Sequence, residues 1–172
     1  KMRPIVNNNR TYSISKLKGS LNSSLERLTT SFVDILYLHD PCDTFKRSDE
    51  IVDWLLSLKS SGVARNLGLS GTAENCVSWF KASPDTFDII QFEDTGNNKV
   101  AFELVSSVCP IQITFGFLRN WKQNNKGLKL TSELAESLLR DAVVRNPTGA
   151  VLISTADLKH IAELITEREI RV

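Results

Sequence analysis

Two histidines and three cysteines are the side chains of this 172-residue chain best suited to acid–base, nucleophilic or metal chemistry. His39 closes the apolar run Phe32-Val33-Asp34-Ile35-Leu36-Tyr37-Leu38 and stands just before Asp40-Pro41. An imidazole at a strand end can donate, accept or carry charge near neutral pH, or it can merely hydrogen-bond the turn that follows, and position alone leaves both readings open. His160 falls inside a helical pattern and reads as a surface residue. Without a nucleophile-elbow motif, no Ser-His-Asp or Cys-His arrangement can be assembled. Cys42, Cys76 and Cys109 are odd in number and widely spaced, with neither a CxxC pair nor a histidine at ligand spacing. That excludes a metal-site signature and fits a reducing cytosol better than a disulfide framework.

The elements that must position these residues follow from apolar periodicity. Ile14, Leu17, Leu21, Leu25 and Leu28 draw one stripe along a helix over residues 13–29. The run ending at Leu38 has no helical period and reads as a strand buried on both faces. A helix over 48–60, stopped by Gly62, precedes a strand at 64–69. Thr72, with Glu74 following, predicts the start of a helix running to Ala82, and Pro84 ends it. Residues 87–91 then read as a strand, 100–108 as a helix, 111–115 as a strand, 119–129 as a polar loop and 132–145 as a helix. Residues 149–154 form the last strand, and Asp157 caps a final helix carrying Leu158, Ile161 and Ile165 on one face.

Strands separated by helices must run parallel, because each connection crosses over the sheet. The chain is therefore α/β, either an open doubly wound sheet or part of a (β/α)₈ barrel. The first usually advertises a glycine-rich phosphate loop, and neither GxGxxG nor GxxxxGK[ST] occurs. In a barrel, reacting groups sit at the C-terminal strand ends, which here carry His39, Ser70, Gly71, Gln91, Thr114, Phe115, Ser154 and Thr155. Gln91 could offer its amide to a planar ligand or satisfy a strand-end backbone group. Ser154 and Thr155 precede a helix start, where free amides attract an anion, although both are also ordinary caps.

Composition narrows the partners. Hydrophobic residues are 41% and charged ones 24%, and 21 Lys+Arg against 20 Asp+Glu leave a net charge of +1. No run of like charges could capture nucleic acid or an anionic membrane, so a small molecule or a protein is expected. No apolar run approaches the roughly 18 residues of a membrane span, and residues 1–10 lack the apolar stretch of a signal peptide, so the expected location is cytoplasmic. The chain begins at Lys1 with an element already under way, which reads as a fragment.

The stretch SLNSSLERLTTSFVDILYLHDP resembles the segment of the aldo-keto reductase superfamily in which a helix with an SL-x-RL pattern leads into a strand reading D-x-x-x-x-H-x-P. GVARNLGLSG, FDIIQFE and GAVLISTADLKHIAELI continue the resemblance in order, whereas ITFGFLRNW departs from the family's strand-seven wording. The resemblance implies one domain over residues 1–172, an incomplete TIM (β/α)₈ barrel lacking its first strands. It implies reduction of an aldehyde or ketone to an alcohol by NADPH or NADH in the complete protein, with this portion inactive alone. By the same resemblance His39 is the family's histidine, which orients the carbonyl, and Lys1 could be what remains of its lysine. Its aspartate and tyrosine fall on segments before Lys1, and neither Tyr12 nor Tyr37 matches the latter.

For the cofactor, Ser70 and Gln91 match the contacts to the carboxamide, and Gly71 stands where asparagine is common. Ser154 and Thr155 align with the phosphate-contacting turn and Glu163 with an adenine-side carboxylate. His160 and Leu164 replace a common arginine and asparagine, so NADP against NAD stays open, as do the carbonyl substrate and the oligomeric state. No metal ligand set is implied. The alternative reading is a degenerate barrel kept as a non-catalytic binding or regulatory subunit.

Overall fold

The computed structural model describes residues 13–41, 49–96 and 111–155. Its first helix, α1 (Ile14–Leu28), starts where the Ser13 hydroxyl accepts from the Lys16 amide at 3.4 Å, satisfying one of the donors a helix start leaves free. It turns Leu17 and Leu21 inward, and Thr29 ends it in the left-handed conformation with φ 52°. The β-branched and aromatic run that follows forms β1 (Val33–His39). Then come α2 (Asp49–Ser60), β2 (Ala64–Gly71) and α3 (Ala73–Ala82), whose start is capped by Thr72 through the Asn75 amide at 3.2 Å. The chain continues with β3 (Ile89–Glu93), β4 (Ile111–Phe115), α4 (Phe117–Asn124), α5 (Ser132–Arg145) and β5 (Ala150–Leu152).

All four strand pairings are parallel, and the sheet order is β1-β2-β3-β4-β5, the order of the sequence. That order decides between the two α/β architectures. A doubly wound sheet reverses direction at a switch point and carries helices on both faces; an unreversed series of right-handed crossovers puts every helix on one face. This is the wall of a (β/α)₈ barrel, with five of its strands among the described residues.

The register divides the strand residues between two faces. Leu38 pairs laterally with Leu69, Leu69 with Ile90, and Gly71 with Phe92, and Leu38, Leu69, Ile90 and Phe92 all pack into the core under the helices with Ile51, Leu55, Cys76, Trp79 and Phe80. Ile35, Tyr37 and His39, being one residue out of phase, take the other face, because successive side chains alternate. A smaller cluster of Phe117, Leu139 and Ala142, with Val151 against it, seats α4 and α5 at the far side.

Two expectations change. Residues 119–129 are not wholly a loop, since α4 covers 117–124. Its start signal is missing from the sequence: the N-cap is Gly116 at φ 83°, with no side-chain cap. Tertiary contacts hold it instead, through Phe117 and Leu118 in the small cluster and through Arg119 and Asn120 on Glu93. The third strand starts at Ile89 rather than Phe87, because the Asp88 carboxylate takes a ladder position, accepting from the Leu67 amide at 3.0 Å while Lys59 Nζ lies 2.6 Å from its other oxygen. The helices expected at 100–108 and beyond Asp157 lie outside the described residues.

Candidate active site

The lateral register brings three of the sequence candidates into one row. His39 on β1 is the Cα partner of Ser70 on β2, and Ser70 is that of Gln91 on β3. Lateral partners in parallel strands point to the same side, here away from the helices and at the C-terminal end of the sheet. Adjacent strands lie about 4.8 Å apart, so the row spans roughly 10 Å, the width of a small planar ligand. Ser70 is buried at 7% exposure, Gln91 is half-buried and the His39 side chain is open at 69%.

Beneath this row lies a floor. Tyr37, two residues before His39 and so about 6.5 Å deeper on the same face, sets its ring across the backbone of its partner Gly68. A Cβ on Gly68 would stand 2.5 Å from Tyr37 Cε1, so only glycine lets the ring lie there. Burial pushes the Tyr37 hydroxyl above its ordinary range, which makes it a poorer acid.

At the rim, the residue after His39 turns sharply. Asp40 adopts φ 49° and its amide donates to the Ser70 carbonyl at 2.6 Å, extending the β1–β2 ladder by one bond. Asp40 Oδ2 lies 3.1 Å from His39 Nδ1. The His39 ring therefore lies beside the turn that follows it and at the level of the row as well. Gly71 lies against this turn: a Cβ there would meet Asp40 Oδ1 at 3.3 Å and Asp40 Cα at 3.4 Å.

Further round, Glu93 accepts from Arg119 Nη2 at 2.7 Å and from Asn120 Nδ2 at 3.1 Å. Asp94, 1% exposed, accepts from Arg145 Nη2 at 2.7 Å and from the Gly96 amide at 2.9 Å. These rim groups escaped the sequence reading, because nothing in spacing announces pairs that α4 and α5 bring in from 26 and 51 residues away. Asp40 did carry a signal, as the acidic residue directly after a strand-end histidine.

Ser154 is exposed and Thr155 half-buried, both just past β5 at the same end of the sheet. The structure does not bring them into the His39 row. Glu163, His160 and Lys1 lie outside the described residues. Cys76 is buried beneath β3 with its Sγ 3.9 Å from the Gln91 carbonyl. Burial first, then the charges of Asp40 and Glu74, push its thiol up to about 12, so it is held as an inert thiol. Among the described residues no group of three or more His, Cys, Asp or Glu side chains could hold a metal ion, and no helix is long and apolar enough to cross a membrane.

Residues 1–149 match the Aldo/keto reductase family. The chain belongs to that family. It is 30% identical over 150 residues to D-arabinose 1-dehydrogenase of Saccharomyces cerevisiae, a stretch that is 86% of this chain and 38% of the yeast protein. In fold it is similar to aldo-keto reductase AKR11C1 of Bacillus halodurans in its holo form, with TM-score 0.69, 18% identity, and 92% of this chain on 63% of that one. PA4992 of Pseudomonas aeruginosa gives TM-score 0.66 at 19% identity, 88% of this chain on 57% of that one. The chain thus spans well under half of its yeast relative and about three-fifths of the solved barrels. These aldo-keto reductase likenesses agree with the unreversed strand order: the five described strands are a run of consecutive staves of such a barrel.

Proposed function

We propose that this aldo-keto reductase chain forms, as one domain, the cofactor-facing part of an NAD(P)H-dependent oxidoreductase that interconverts a small aldehyde or ketone and its alcohol in the cytoplasm. The observation that carries the reading is the single row of His39, Ser70 and Gln91 across three adjacent strand ends. A buried hydroxyl and an amide offer both donors and acceptors, which is the set that a nicotinamide carboxamide needs on its two ends. Gly71 has no side chain to add, and its space is taken by the Asp40 turn.

When bound, the reduced nicotinamide supplies the hydride. The chain's own residues do the rest: Ser70 and Gln91 fix the carboxamide so that one face of the ring is presented, and the floor of Tyr37 on Gly68 sets its depth. His39 stands at the open end of the row, where the reacting oxygen of a carbonyl or alcohol must come. Ser154 and Thr155, past the end of β5, and Glu163 are assigned to the phosphate and adenine side by the family resemblance.

Titration with NADH and NADPH, read by the fluorescence of Trp54, Trp79 and Trp121, tests the binding. Ser70→Ala and Gln91→Ala should each weaken it roughly 2- to 10-fold, the worth of one hydrogen bond. The name of the yeast relative makes pentoses natural members of an aldehyde, ketone and sugar panel for turnover. No quench with either dinucleotide would favour the non-catalytic reading, and turnover indifferent to His39→Ala would remove His39 from the chemistry.

A further inference from the structure

We infer that the connection from β4 to α5 is a peripheral docking surface for an anionic phospholipid membrane, on which Lys122, Lys126 and Lys129 meet the headgroups and Leu128 enters the boundary beneath them. Residues 116–131 carry four basic side chains, Arg119, Lys122, Lys126 and Lys129, and no acidic one, in a chain whose total charge is only +1. Arg119 is held by Glu93. The three lysines are exposed, and among the described residues none of them has an ion-pair partner. The expectation that nothing here could hold an anionic membrane follows from the lack of an unbroken run of like charges. Spacings of three, four and three along α4 and the turn after it bring together what the sequence separates.

The fold sets this surface at one end of the sheet. β5 runs parallel to β4, so α5 must return along the outside, and the whole connection lies where the strands finish, the end that carries His39, Ser70 and Gln91. α4 turns Phe117 and Leu118 inward against α5, which leaves its basic side to solvent. The Asn125 amide donates to the Trp121 carbonyl at 2.9 Å and the Leu128 amide to the Asn125 carbonyl at 3.1 Å, so the chain stays coiled beyond the helix and turns at Gly127 with φ 89°. Leu128, 66% exposed, is thereby held out between Lys126 and Lys129. Glu133, exposed in the first turn of α5, opposes one of the three charges. Protein interfaces are poor in lysine and are built on an apolar core of several residues. One exposed leucine among lysines suits a shallow seat in an anionic headgroup layer, where the amines stay with the phosphates and a single apolar side chain reaches the acyl boundary.

Sedimentation of the whole chain with sucrose-loaded vesicles tests this. At about 0.1 M salt it should prefer phosphatidylcholine vesicles containing about 30% phosphatidylserine over phosphatidylcholine alone by roughly 30- to 100-fold, each lysine at an anionic surface being worth about fivefold and Glu133 opposing one of them. The triple change Lys122→Gln, Lys126→Gln, Lys129→Gln should abolish the preference, and arginine at the same three positions should keep it. Salt at about 1 M, where screening shrinks to about 3 Å, should abolish it as well. Leu128→Ser should weaken binding to the anionic vesicles several-fold and leave the preference in place. Because the three lysines have no ion-pair partner among the described residues, the thermal midpoint of the glutamine variant should match wild type, which separates loss of charge from loss of fold.

Equal binding of wild-type protein to the two kinds of vesicle overturns the inference, and that reading needs no variant to fold. A preference that survives the three glutamine substitutions overturns it too, since the charge responsible then lies elsewhere. Retention on immobilised poly-L-glutamate without binding to either vesicle assigns the surface to an acidic protein and removes the membrane. The inference depends on fold and charge and on neither cofactor nor turnover, so a failed dinucleotide titration leaves it standing, and failed sedimentation leaves the reading of the His39 row untouched.

Discussion

Arg145→Met should be the most damaging single change to an ion pair in the described fold. Asp94 follows β3 at 1% exposure, and among the described residues its carboxylate accepts from Arg145 at 2.7 Å and the Gly96 amide at 2.9 Å. Methionine keeps much of the arginine stem but strands the carboxylate with one donor. Removing one partner of a buried pair costs roughly 3–5 kcal/mol, because the remaining charge has neither water nor a counter-ion. The Arg145 side chain is 33% exposed, so some water reaches the pair and the lower end, about 3 kcal/mol, is expected.

The control sits on the same helix. Arg140 pairs with Glu136 one turn away at 72% exposure, and Arg140→Met should cost only about 0.3–0.5 kcal/mol. In a chain of this size the contrast corresponds to a midpoint lower by about 6–12 °C against about 1–2 °C in thermal unfolding. Adding Asp94→Asn to Arg145→Met should recover part of the loss, since a neutral amide is cheaper to bury than a charge. If Arg145→Met is no worse than Arg140→Met, the buried-charge argument for the rim is wrong.

Gly68→Ala should cost about 1–3 kcal/mol, since the added Cβ would stand 2.5 Å from the Tyr37 ring; in a Tyr37→Ala background, denaturant titration should find most of that penalty gone. Thr72→Ala removes the cap accepting from the Asn75 amide and should lower stability by about 1 kcal/mol; a loss within error would show that solvent replaces it. Cys76 should resist thiol reagents in native Cys42→Ser/Cys109→Ser protein and react only on unfolding, as burial and a thiol pushed up to about 12 require.

That raised value also has a pH sign. Above about pH 9 the unfolded thiol ionises while the folded one keeps its proton, so the native state binds more protons and stability falls from there towards pH 12. The loss, on the order of 4 kcal/mol at most, should be absent from Cys76→Ala, so the stability difference between wild type and Cys76→Ala should change between pH 8 and pH 11; parallel curves would refute it.

Much of this fold was legible because its elements obey strong local rules. The stripe from Ile14 to Leu28 requires a helix whatever surrounds it, Thr72 caps where its hydroxyl can reach a free amide, and residues 132–145 carry a helical period that the structure reproduces without shift. Residues 117–124 were illegible for the opposite reason. Their N-cap is a left-handed glycine and their composition is polar, so the helix owes its place to Phe117 against Leu139 and Ala142, contacts that exist only once the chain has folded. The start of β3 was misread because Asp88 satisfies a ladder amide with its side chain rather than its backbone, a choice no pattern encodes.

By itself, then, the sequence determined that the chain is α/β, that its strands run parallel, and that polar residues stand at the strand ends, since alternating periods and crossover connections admit nothing else. Only the tertiary structure decided that these strands follow one another in unreversed order as a barrel wall, and that His39, Ser70 and Gln91 share one level on one face. It alone set the carboxylate of Asp40 beside His39 and buried Asp94 against Arg145. The physical reason is common to all four. Register, face and ion pairing are relations between segments distant in sequence, fixed by hydrogen bonds and packing that come into being only when the whole wall assembles.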